Sequence, residues 1–126
     1  MDNSFKIKDR IKSFKYGLDG IVTMMRSQHN AWIHAAATIL VVIAGLYFGF
    51  SKAEWCWIVL AIMAVWTTEA FNTALEFFMD VISPEFHPLI GMAKDVAAGA
   101  VLITAIGSAI IGLLIIGPYL LNIILK

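Results

Sequence analysis

From Ile7, apolar side chains return at Ile11, Phe14, Leu18 and Ile21, at spacings of four, three, four and three. That period predicts an amphipathic helix over residues 4–26. Lys8, Lys12 and Lys15 fall mostly on its other faces. Such a helix suits a membrane interface, with an apolar stripe against lipid and Lys stems reaching back to water. The pattern then changes to three long apolar stretches, at about 31–50, 55–79 and 96–125. Twenty helical residues cover about 30 Å, the thickness of the hydrocarbon layer. Each stretch is therefore expected to cross a membrane.

The punctuation supports these limits. Gly49 to Lys52 ends the first span, and Trp32, Tyr47, Trp55 and Trp57 lie near its expected interface or that of the second. Ser83–Pro84 and His87–Pro88 argue against one continuous helix, so a loop is expected from Val81 to Met92. The last apolar stretch exceeds what a bilayer requires, so its early turns stand outside or the helix tilts. Gly117–Pro118 marks a kink or an end. Ala97, Ala98, Gly99, Ala100 and Ala105 permit close approach by neighbouring helices. The fold class is an all-α membrane protein, read as one small domain over 1–126.

Composition agrees. The chain is 60% hydrophobic and 14% charged, more apolar surface than a soluble domain of this size can hide. Its net charge is zero, so no overall field favours nucleic acid. Lys6, Lys8, Arg10, Lys12, Lys15 and Arg26 precede the first span and favour a cytoplasmic N-terminus. Three spans then put the 50–54 loop outside, the 80–95 loop inside and the C-terminus outside. Cys56 has no partner for an internal disulfide and is expected to be a buried thiol. The first 20 residues lack the continuous apolar run of a secretory signal.

The second span carries the candidate chemistry. Glu69, Asn72, Glu76 and Asp80 are spaced by three, four and four residues. On a helix they fall within roughly 80° of one another. Carboxylates facing lipid are costly, so this face is expected to meet protein or a polar cleft. Such a face either joins helices, moves a proton or ion through Glu69 and Glu76, or holds a divalent cation. Oxygen ligands suit Mg²⁺, especially where phosphate completes its shell. Lys94–Asp95 lies near the next helix start, where chain reversal brings it toward Glu76 and Asp80. A Lys there would neutralise a transferring phosphoryl group.

The stretch Glu69-Ala-Phe-Asn72-Thr-Ala-Leu-Glu76-Phe-Phe-Met-Asp80, then Pro84-Glu85-Phe86-His87-Pro88 and Ala93-Lys94-Asp95, resembles the small bacterial membrane lipid kinases. That family comprises prokaryotic diacylglycerol kinase and undecaprenol kinase. The resemblance extends over nearly the whole chain, including the basic N-terminal helix with Tyr16 and Gly20. It implies a homotrimer of three-span subunits in the bacterial cytoplasmic membrane, with active sites shared between subunits. It also implies transfer of the ATP γ-phosphate to a membrane lipid hydroxyl, diacylglycerol or undecaprenol, with Mg²⁺.

By matching position, the resemblance makes Glu69 the base for the lipid hydroxyl and gives Asn72 a positioning role. Glu76 would hold Mg²⁺, and Lys94 would contact ATP phosphates. Arg10, Tyr16, Asp80, Glu85, His87 and Asp95 would surround the nucleotide. One position departs from the pattern: Gln28 stands where the family usually has a Glu that shares the metal with Glu76. An amide keeps an oxygen and loses a charge, which lowers metal affinity or makes the chain a low-activity or regulatory member. Asn30 and His34 match the family's N-x-x-x-H form, and His34 is read as hydrogen-bonding within the bundle, not as a metal ligand.

Overall fold

The computed structural model describes residues 6–125. Residues 4 and 5 of the expected surface helix, and Lys126, lie outside the described residues. Four helices follow one another: α1 (Ile7–Ser27), α2 (His29–Phe48), α3 (Lys52–Ile82) and α4 (Pro88–Ile124). The last three are long and apolar enough to cross a membrane. This is an all-α, multi-span membrane protein.

A single residue, Gln28, separates α1 from α2. Its backbone is extended, at φ −116° and ψ 118°, and it caps both helices at once. Its N–H still donates to Met24 O at 3.0 Å, so the turn costs α1 no bond there. Along α1 only Met24 is buried, and Phe14 is 72% exposed. The chain's own described helices leave the apolar stripe of α1 uncovered.

The turn between α2 and α3 is tightly specified. Gly49 ends α2 at φ 70°, the left-handed conformation that glycine adopts without a Cβ penalty. Ser51 then begins α3 with a reciprocal cap. Glu54 N–H donates to Ser51 Oγ at 3.2 Å, and Ser51 N–H donates to Glu54 Oε2 at 2.7 Å. The Trp55 and Phe50 rings close over Gly45, where an added Cβ would stand 2.6 Å from Trp55 Cη2. At the same end Tyr119 Oη donates to Glu54 Oε2 at 2.9 Å, tying α4 to the start of α3.

The other end differs from the expected loop. α3 continues to Ile82, and α4 opens at Pro88, well before residue 96. Proline suits the first helical position because its missing N–H has no helical partner there. His87 Nδ1 accepts from Leu89 N–H at 3.2 Å and completes the cap. The loop is thus only residues 83–87. Nor does Gly117–Pro118 end α4, which runs on to Ile124 with Pro118 inside it. Proline removes one donor, whereas ending the helix in an apolar medium would strand several backbone groups.

The main seam lies between α3 and α4. Ile58, Ala61, Val65, Met79, Ala97 and Val101 are buried along these helices. Polar side chains bind the seam as well. Thr68 and Thr104 hydroxyls meet at 2.8 Å, and Ser108 Oγ donates to Ala61 O at 3.1 Å. α2 joins α3 through Trp66 Nε1, which donates to Thr38 Oγ1 at 3.0 Å. Cys56 corrects one expectation: it is exposed on α3, not buried. An outward thiol is a small hydrophobe and is stable against lipid.

Candidate active site

Helix lengths place the site. At 1.5 Å per residue, α3 is about 46 Å long and α4 about 55 Å, both beyond a 30 Å hydrocarbon layer. α2, with 20 residues, just spans it. The Gln28 side chain, at the base of α2, donates from Nε2 to Glu76 Oε2 at 2.7 Å. Glu76 therefore stands level with the start of α2. The last turns of α3 and the first turns of α4 project past that level.

The acidic face is graded along this axis. Glu69 is fully buried and Asn72 is 6% exposed. Glu76 is half-buried, and Asp80 is exposed. Desolvation is thus steepest at Glu69 and weakest at Asp80. Asn72 Nδ2 donates to Glu76 Oε1 at 3.1 Å, so each Glu76 oxygen accepts one amide hydrogen. Asp80 forms an ion pair with Lys94, which brings α4 against the outer end of the face.

Among the described residues, no three His, Cys, Asp or Glu side chains converge as a metal cage. Gln28 and Asn72 instead turn their amide N–H groups to Glu76, each with a carbonyl oxygen on the same side chain that a cation could recruit. Asn72 Oδ1 is buried and has no hydrogen-bond partner. This leaves an acceptor beside Glu76 for a cation or a donor. A site with one carboxylate and neutral oxygens fits Mg²⁺ when phosphate oxygens complete the shell.

The other expected residues are less enclosed. Arg10 is exposed on α1, and Tyr16 is 67% exposed. Glu85 is exposed in the 83–87 loop, where its backbone O accepts from Ser83 Oγ at 2.8 Å. Asp95 is exposed beside Lys94. Since His87 caps α4 through Nδ1, a ligand would have to use its Nε2.

One pairing was not foreseen. His34 Nε2 lies 3.6 Å from Glu69 Oε2. The sequence places His34 in a hydrogen bond within the bundle and names no partner for it. Residues 34 and 69 sit on different helices, and neither period reveals how α2 and α3 align. The turn geometry at Gly49–Glu54 sets that register.

The family model for prokaryotic diacylglycerol kinase matches residues 15–116, most of the chain. The undecaprenol kinase of Bacillus subtilis is 41% identical over 119 residues, covering 94% of this chain and 97% of the relative. The diacylglycerol kinase of Helicobacter pylori is 30% identical over 131 residues, covering 98% of this chain and 99% of the relative. The diacylglycerol kinase of Synechocystis is 33% identical over 112 residues, covering 88% of this chain and 64% of the relative. With this coverage and identity, the chain belongs to the prokaryotic diacylglycerol kinase family.

Proposed function

We propose that this enzyme transfers the γ-phosphate of ATP to the hydroxyl of a membrane lipid at the cytoplasmic interface. The observation that carries the reading is the family match from residue 15 to residue 116, which includes the whole Glu69–Asp95 face. The geometry fits it. A buried carboxylate, a carboxylate held by two amides and a paired Lys occur in that order toward the membrane surface.

In this reading Glu69 takes the hydroxyl proton as the lipid oxygen attacks the γ-phosphorus. The bond from that phosphorus to the β–γ bridging oxygen breaks, and ADP leaves. Asn72 orients Glu76 through its amide, and Glu76 and Gln28 would hold Mg²⁺. When bound, Mg²⁺ offsets the charge of the β- and γ-phosphates. Lys94 contacts the phosphates while Asp80 keeps its ammonium in place. Arg10, Tyr16, Glu85, His87 and Asp95 form the outer nucleotide shell.

The chain acts as a homotrimer with shared sites, its N-terminus and 83–87 loop cytoplasmic and its C-terminal end outside. Many large side chains, including Leu113, Leu114 and Ile124, are exposed on the single subunit and require lipid or further copies. Undecaprenol is the first lipid to test, because the relative at 41% identity bears that name. Diacylglycerol is the second. Both lipids at equal mole fraction in one bilayer, with ATP and Mg²⁺, give the direct comparison. Label in either lipid supports the reading, and label in neither contradicts it.

A further inference from the structure

An apolar groove of about 770 Å³ runs along α2, α3 and α4. Ala37, Val41, Ile62, Ala109 and Leu113 are among its walls. On α2 it extends from Ile33 to Ala44, about 17 Å at 1.5 Å per residue. His34 stands at the end nearest Gln28. Glu69 is not a wall. It lies behind His34, with its side chain 1% exposed against 14% for the imidazole.

His34 Nε2 and both Glu69 oxygens are buried without a hydrogen-bond partner. Three unsatisfied polar atoms at one place in a native core call for a cause. The ring is otherwise well held. Trp66 meets it edge-on, with centroids 6.4 Å apart. Trp66 also donates to Thr38 Oγ1, which donates in turn to His34 O at 2.7 Å. His34 and Glu69 stand 3.6 Å apart, just beyond hydrogen-bond distance, a length common between catalytic groups when no substrate is bound.

We propose that His34 relays the lipid hydroxyl proton to Glu69, a step that rests on the reading of Glu69 as the base. The lipid's hydrocarbon chain fills the groove, because the walls are apolar and, among the described residues, the one buried acid–imidazole pair without hydrogen bonds lies at its end. The hydroxyl meets the imidazole. The ring nitrogen turned away from Glu69 takes the hydroxyl proton, and Nε2 passes its own proton to Glu69 Oε2. The freed electron pair on the lipid oxygen forms the bond to the γ-phosphorus, and the bridging oxygen leaves with ADP. The imidazole ends neutral and Glu69 ends protonated. A buried carboxylate behind an imidazole fixes the ring's tautomer and aim; here Glu69, unlike the carboxylate of a serine-protease triad, is also the final proton acceptor.

The test uses the full-length protein in lipid bilayers with ATP, Mg²⁺ and undecaprenol or diacylglycerol. His34→Phe keeps a ring and removes both nitrogens. It should lower kcat by about 100-fold or more while leaving the KM for ATP unchanged. Adding Glu69→Gln to His34→Phe should cost nothing beyond Glu69→Gln alone, because the two act in series. Ring-¹⁵N spectra of the intact protein give an independent readout if His34→Phe does not fold. The His34 Nε2 signal should move on Glu69→Gln and stay in place on Asp80→Asn. Full turnover in His34→Phe with loss in Glu69→Gln overturns the relay and leaves the base reading intact. Full turnover in both variants overturns the base reading itself. A His34 signal indifferent to Glu69→Gln also overturns the relay.

Discussion

Gln28 Nε2 lies 2.7 Å from Glu76 Oε2, so the residue that joins α1 to α2 also holds the central carboxylate of α3. One neutral side chain thereby couples α1, α2 and the acidic face of α3. The family pattern suggests a Glu at this position. Here an amide satisfies Glu76 without a second negative charge.

Gln28→Glu should reverse that balance. Two carboxylates about 4 Å apart repel by about 4 kcal/mol at the effective dielectric of a protein surface. The variant should melt at lower temperature without Mg²⁺ and recover on Mg²⁺ addition. Half-maximal activity should require less Mg²⁺ than the parent does. Thermal unfolding in mild detergent over a Mg²⁺ series checks both. Equal melting curves with and without Mg²⁺ would remove Gln28 from the metal position.

Glu69→Gln keeps the shape of the side chain and removes its basicity. Lipid turnover should fall by about 10²–10⁴-fold. ATP affinity should hardly change, because Glu69 lies well inside the level of Lys94 and Asp80. Nucleotide binding measured beside phosphate transfer separates the two effects. A large loss of ATP binding would move Glu69 into the nucleotide shell.

Lys94→Ala should act at the opposite end. It removes the ammonium and leaves Asp80 without its ion-pair partner. Both groups are well exposed, so stability should change little. The KM for ATP should rise, and Lys94→Arg should restore part of the loss. A destabilised protein with unchanged ATP dependence would make the pair structural.

Gly45→Ala tests the turn that sets the register of α2 and α3. The new Cβ would stand 2.6 and 2.7 Å from Trp55 ring atoms and 2.8 Å from Phe50. Overpacking of this kind costs about 1–3 kcal/mol. Thermal unfolding should show that loss, with a matching fall in activity as His34 and Glu69 lose alignment. An unchanged melting temperature would mean that the aromatic pair moves aside freely.

Much of this architecture is visible in the apolar runs. Those runs show where helices lie, because lipid tolerates few charges. The acidic face also follows from spacing, since one helix fixes the angle between Glu69 and Asp80. Contacts between helices are harder to read. The Lys94–Asp80 pair was approachable because a short loop joins the two helices. His34–Glu69 depends on the pitch of the Gly49–Glu54 turn, and Thr68–Thr104 on the crossing of α3 and α4. Pro88 shows a local ambiguity: proline both breaks helices and begins them. The cap from His87 decides for beginning.

Lipid phosphorylation by this chain can be measured directly. The purified chain is placed in bilayers holding undecaprenol and diacylglycerol, and γ-labelled ATP is supplied with Mg²⁺. Label should appear in a lipid phosphate, with ADP formed in equal amount, and that label should be lost in Glu69→Gln. ADP release with label only in free phosphate, or no label transfer by folded protein, would contradict lipid phosphorylation.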